Sequence, residues 1–217
     1  LRQSSHEARR LRATLALLRQ VVGHDLRSPL QAVIGCADLL ATSTGGHPPP
    51  ERLADHLRQA GGRMLGMMDG ATLLMEDVGA PMSWGPVSLR GWLPADQTPD
   101  PLPAVMGDAA LLRRAVDALL DNARRHGAGP VRVSLTVAAG EATLTVADAG
   151  PGVSAHRHDA VFRPFVSTVG GPGLGLTRAR RALEDHGGSL TLKAGDPSAT
   201  FVARWPLEAP WDPPVAG

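Results

Sequence analysis

The chain of 217 residues carries 22 basic and 21 acidic side chains, a formal net charge of +1, with 43% hydrophobic and 20% charged residues. This is the balance of an ordinary globular protein, and so even a charge gives no electrostatic case for nucleic acid or an anionic membrane. No apolar run approaches the roughly 20 residues that cross a bilayer, and no secretory signal pattern opens the chain.

The first half reads as two long helices. Apolar residues fall at Leu11, Leu15, Leu18, Val22, Leu26, Leu30, Val33, Ala37 and Leu40. The steps alternate four and three, apart from consecutive fours at Val22–Leu26–Leu30, which is the stripe of a helix packed in a bundle. Gly45-Gly46 and Pro48-Pro49-Pro50 then break the pattern, because neither continues a helix. The stripe resumes at Leu53, Leu57, Ala60, Met64, Met67, Ala71, Leu74 and Val78. Two such helices joined by a short loop form an antiparallel hairpin. A lone hairpin buries too little surface to be stable, so a second copy is expected to complete its seam as a four-helix bundle. The methionines read as flexible core filler, and Arg9, Arg10 and Arg12 as a solvated face. No capping signal precedes Leu1, so an upstream sensor region is expected in the full protein.

Gly79–Pro86, with Pro81 and Gly85, reads as a connector. The expected division is 1–80 for the hairpin, 81–86 for the linker and 87–217 for a second domain. There the pattern turns to mixed elements: a helix over Asp108–Arg125 with Asp108 as N-cap and Gly127 as stop; a hairpin of Val131–Val137 and Ala142–Asp148 around Gly140; a helix over Leu174–His186; and strands at Ser189–Lys193 and Thr200–Trp205. Such an order points to an α+β two-layer sandwich with helices on one face of the sheet. Cys36 is the single cysteine, which excludes an intrachain disulfide and fits a reducing compartment. Lys193 is the single lysine and tyrosine is absent, so phosphate contacts fall to arginine and aromatic contacts to Phe, Trp or His.

Chemistry concentrates at His24-Asp25-Leu26-Arg27-Ser28-Pro29. His24 lies two residues from Val22 and two from Leu26. Two helical steps rotate about 200°, which turns its imidazole away from the seam. Asp25 is placed to hold one ring nitrogen as an N–H donor, leaving the other lone pair to attack an electrophile. Pro29 lacks an N–H, so the Asp25 carbonyl loses its helical partner and the helix should bend there.

This segment resembles the phosphoacceptor box of sensor histidine kinases, and four further boxes follow in that family's order. In Asp121-Asn122-Ala123-Arg124-Arg125-His126, the resemblance implies that Asn122 binds the magnesium carried by ATP, Arg125 faces the phosphates and His126 packs on the nucleotide. In Asp148-Ala149-Gly150-Pro151-Gly152, it implies that Asp148 accepts a hydrogen bond from the adenine amino group while Gly150 and Gly152 let the backbone approach the base. Phe162 and Phe165 would anchor a flap over the nucleotide, with core packing as the alternative. Gly171, Gly173, Leu174, Gly175 and Leu176 form a glycine-rich helix start suited to phosphate. His186-Gly187-Gly188 fits as a structural stop.

The implied protein is a cytoplasmic, homodimeric histidine kinase domain, free or part of a membrane-anchored protein. It would use ATP and Mg2+ to phosphorylate His24 and pass the phosphate to an aspartate of a response-regulator receiver domain, with no role for nucleic acid. Three positions depart from the family: Ala118 stands where relatives carry Asn or Glu, Val169 where short-lid relatives carry Lys, and Ser28 where Thr or Asn supports phosphatase activity. Two alternatives follow: a degenerate kinase acting as a nucleotide-binding scaffold, and a serine kinase of the anti-sigma-factor type, which would leave the His24 hairpin unexplained.

Overall fold

The computed structural model describes residues 2–41, 50–79, 82–94, 104–127, 129–167, 173–193 and 198–208. The chain divides into two compact units, Leu1–Ala80 and Pro81–Gly217.

The first unit contains α1 (Arg2–Gln20), a π turn (Val21–Asp25), α2 (Arg27–Ala41) and α3 (Pro50–Gly79). The irregularity lies one turn before the bend expected from Pro29, as a π turn at Val21–Asp25. The Leu26 N–H reaches back five residues to the Val21 carbonyl at 2.9 Å, and ordinary helix resumes with Leu30 N–H to Leu26 O at 3.2 Å. A π turn inserts one residue into an α-helix, and the sequence carries that residue. Buried positions along α1 and α2 are Thr14, Val21, Pro29 and Cys36. They are spaced seven, eight and seven, with the long step across the π turn.

On α3, Leu53, Ala60 and Leu74 are buried and Leu57, Met64, Met67 and Ala71 half-buried, so the stripe read from the sequence faces inward. The first stripe is different. Leu11, Leu15, Leu30, Ala37 and Leu40 are exposed and Leu18, Leu26 and Val33 only half-buried, and the fully buried face lies one residue round the helix. A single partner helix covers one side of α1 and α2, and the side it covers carries the smaller Thr14, Val21, Pro29 and Cys36. Leu65, Met68 and Met75 are exposed on α3 as well.

In the second unit, β1 (Trp84–Val87) pairs antiparallel with β2 (Val105–Asp108). Residues 84–86, read from the sequence as linker, therefore belong to a strand. Then come α4 (Ala109–His126), β3 (Arg132–Ala138), β4 (Glu141–Ala147), two single 3-10 turns (Ala155–Arg157 and Ala160–Phe162), α5 (Gly175–Asp185), β5 (Ser189–Leu192) and β6 (Thr200–Pro206). The larger sheet is antiparallel in the order β3-β4-β6-β5. Ala139 and Gly140 both take positive φ between β3 and β4, the two-residue turn that matches strand twist.

Leu135, Leu144, Val146, Leu190, Phe201, Ala203 and Trp205 point from the sheet into the core. They meet the apolar faces of α4 (Leu112, Val116, Leu119, Ala123) and α5 (Ala179, Leu183). This is the expected two-layer sandwich. Each buried leucine contributes about 1.5–3 kcal/mol of transfer free energy, and the layer they form holds α4 and α5 on the sheet.

Candidate functional site

His24 sits in the last turn of the π segment, with its side chain 88% exposed. Its Nδ1 lies 3.0 Å from Asp25 Oδ1, and Asp25 itself is only 20% exposed. The carboxylate is thus held against the stalk while the ring projects from it. With Nδ1–H donating to Asp25, the Nε2 lone pair faces away from that carboxylate. Ser28 is exposed on the next turn.

In the second unit, the end of β4 delivers Asp148 to the C-terminal end of α4. The Asp148 N–H donates to Ala199 O at 3.1 Å, and its side-chain Oδ1 accepts from Gly150 N–H at 2.8 Å. Asp148 is 2% exposed, and its Oδ2 is buried without a hydrogen-bond partner. A buried carboxylate oxygen left in that state costs free energy unless a donor arrives. The surrounding backbone leaves room for close approach. A Cβ on Gly150 would collide with the His126 carbonyl, and one on Gly127 would come 2.5 Å from Ala123 O and 3.0 Å from Asp148 Cβ. An unsatisfied acceptor beside side-chain-free backbone fits a flat ligand that brings an N–H donor.

The start of α5 adjoins this place. A Cβ on Gly175 would touch Ala118 Cβ at 3.7 Å, and Asn122 follows Ala118 by one turn of α4. Gly173 has φ +65°, and a Cβ there would come 2.7 Å from Phe165 C and Val166 N. Its carbonyl accepts from Phe165 N–H at 3.0 Å. Phe165 itself takes φ +65°, a sparsely populated conformation for a side chain of that size. The first turn of α5 is tied down by Thr177 Oγ1, which donates to Phe162 O at 3.0 Å.

Residues 107–209 match the model of the histidine kinase-, DNA gyrase B- and HSP90-like ATPases. Over 93% of its length the chain is 31% identical to the probable sensor histidine kinase TcrY of Mycobacterium tuberculosis (strain H37Rv). The chain is a histidine kinase catalytic core. The sensor histidine kinase CpxA of Escherichia coli (strain K12) is 27% identical over 77% of this core. Among solved structures, the histidine kinase ThkA in its complex with the response regulator protein TrrA has the same fold, with a TM-score of 0.64 over 96% of this chain and 67% of that one at 16% identity. The core spans 48% of TcrY and 41% of CpxA, about half the length of these relatives or less.

Within this kinase core, Gly150 lies against His126, Asp148 against Gly127 and Gly175 against Ala118, so the segment after β4 and the start of α5 both adjoin α4, which carries Asn122 and His126. Asn122 and His126 are half-buried, whereas Arg125 is exposed. Gly152 turns with φ +73°. Gly171 and Val169 lie outside the described residues. Phe162 belongs to the core, edge-on to Phe201 at 6.1 Å between ring centres, and Phe165 is half-buried at the turn. Asp117 and Asp121, which flank Ala118, are engaged by Arg113 at 2.9 Å and Arg124 at 3.3 Å.

Gly127 is a member of the cradle that the sequence presented only as a helix stop, because its contact with Asp148 spans two elements. Among the described residues, no three His, Cys, Asp or Glu side chains converge to hold a cation. No helix among them is long and apolar enough to cross a membrane.

Proposed function

We propose that this histidine kinase core transfers the γ-phosphoryl group of Mg-ATP to His24 and then to an aspartate of a response regulator. The observation that carries the reading is the exposed His24 ring, with Nδ1 engaged by Asp25 and Nε2 turned outward. Nε2 attacks phosphorus in line, the N–P bond forms as the bond to the ADP oxygen breaks, and the Nδ1 proton is shared with Asp25. Adenine is read by Asp148 Oδ2, which gains the donor it lacks, while Gly150 and Gly152 admit the base and His126 packs against it. The start of α5, from Gly173 to Leu176, receives the phosphates with Arg125 adding positive charge. Phosphoryl transfer depends mainly on such positioning and charge neutralisation. Asn122 would hold magnesium together with phosphate and water oxygens, and the ion would supply charge neutralisation at the phosphates.

The exposed apolar stripes on the stalk support a homodimer closed as a four-helix bundle. The response regulator as recipient is supported by the relatives' names as sensor kinases and by ThkA's complex with TrrA. Incubation with γ-labelled ATP and Mg2+ tests the reading. Label that is acid-labile, lost with EDTA and absent from His24→Ala and His24→Gln supports it; equal labelling of those variants refutes it. Tight ATP binding with no label on the native chain would favour the scaffold alternative, which the apolar Ala118 motivates.

A further inference from the structure

Asp108 does more than cap a helix. Its Oδ1 accepts from the N–H groups of Ala110 at 2.9 Å and Leu111 at 3.0 Å, the usual N-cap arrangement. Its Oδ2 accepts from the Ser83 N–H at 2.8 Å, across twenty-five positions of sequence. Its own N–H donates to His186 Nε2 at 2.9 Å. His186 is 1% exposed, and its Nδ1 contacts Ala182 O at 2.5 Å. Because Nε2 accepts, Nδ1 carries the proton, and the ring is held between two backbone groups. Trp84, next to Ser83, lies against this ring at 5.0 Å between centres.

One residue thus joins three elements: the segment leading into β1, the start of α4, and the end of α5. Asn122 rides on the other end of α4. The polypeptide enters the second unit just before Ser83, so the point at which Ser83 is fastened sets how much free chain separates His24 from the nucleotide-binding residues. Each residue freed from the unit would add up to about 3.3–3.6 Å of slack, and phosphoryl transfer is sensitive to misplacement on that scale.

We propose that Asp108 is a positioning residue for phosphoryl transfer: its Oδ2 clasps Ser83 to the start of α4 and so fixes where the connector leaves the ATPase unit. His186 holds the backbone of Asp108 in register for that clasp. The inference rests on the kinase reading above, and it separates Asp108 from the groups that touch nucleotide.

Asp108→Asn tests it. The carboxamide keeps a carbonyl oxygen for Ala110 and Leu111, and Asn is as good an N-cap as Asp, but an NH2 then faces the Ser83 N–H. Ser83→Pro removes the donor alone and serves as the second variant. Amide hydrogen exchange, ATP affinity and the rate of His24 labelling are measured on the whole chain. The expected result for Asp108→Asn is exchange at Ser83 faster by about tenfold, with Ala110 and Leu111 still protected. ATP affinity should stay within about twofold and labelling slow by about threefold or more in both variants. Unchanged exchange at Ser83 in Asp108→Asn, unchanged labelling, or a labelling loss fully accounted for by weaker ATP binding would overturn the proposal. A native chain that binds ATP without labelling His24 refutes the kinase reading instead, and the proposed role of the clasp with it, while the exchange measurement still decides whether the clasp itself exists.

Discussion

Replacing Asp148 by Asn isolates the atom on which nucleotide recognition depends. The side chain keeps its shape, and one oxygen remains to accept the Gly150 N–H that now lies 2.8 Å from Oδ1. At the position of the unpartnered Oδ2, an amide donor replaces an anionic acceptor. A hydrogen bond to a charged group is worth about 1.5–3 kcal/mol net, and each 1.4 kcal/mol is about tenfold in affinity. ATP should therefore bind about 10–150-fold more weakly. Folding should change little, by about 1 kcal/mol or less, because the fold gains nothing from an oxygen that has no partner in it. Isothermal titration with ATP, run beside a thermal melt, separates the two effects. Affinity within about twofold of the native chain, at unchanged melting temperature, would show that Oδ2 does not touch the base and would refute the reasoning.

Gly150→Ala drives a methyl group into the His126 carbonyl; displacement of that turn should weaken ATP about tenfold or more in the same titration, in line with a cost of about 1–3 kcal/mol for overpacking. Leu65→Glu combined with Met68→Glu places charge on the exposed stripe of α3. Sedimentation should then show a shift from dimer toward monomer, while circular dichroism retains the helix content.

The sequence shows a repeated four-residue step at Val22–Leu26–Leu30, which reads as one continuous stripe with a bend at Pro29; the extra residue is instead absorbed by the π turn at Val21–Asp25. The α4 cap was legible, since Asp108 bonds to its own next residues. By contrast, β1 was hidden. Trp84-Gly85-Pro86-Val87 contains two residues that strands disfavour, and its partner β2 begins eighteen positions after it ends, so the pairing has no local signature.

The stripe Leu11–Leu40 shows a different limit. Periodicity reports that a face is apolar but not which partner covers it, and within one chain α3 covers the neighbouring face. Asp148 was visible as a motif, yet its unpartnered oxygen was not. That property arises where the end of β4 meets Gly127 and His126 at the end of α4, and burial there depends on the whole sandwich.

Mapping the phosphorylated residue tests the central claim most directly. After incubation with Mg-ATP, peptide mass spectrometry under neutral conditions should find a single phosphate on the His24 imidazole, removed by mild acid. An acid-stable phosphate on a serine or threonine, or phosphate on a different histidine while His24 stays unmodified, would contradict the account.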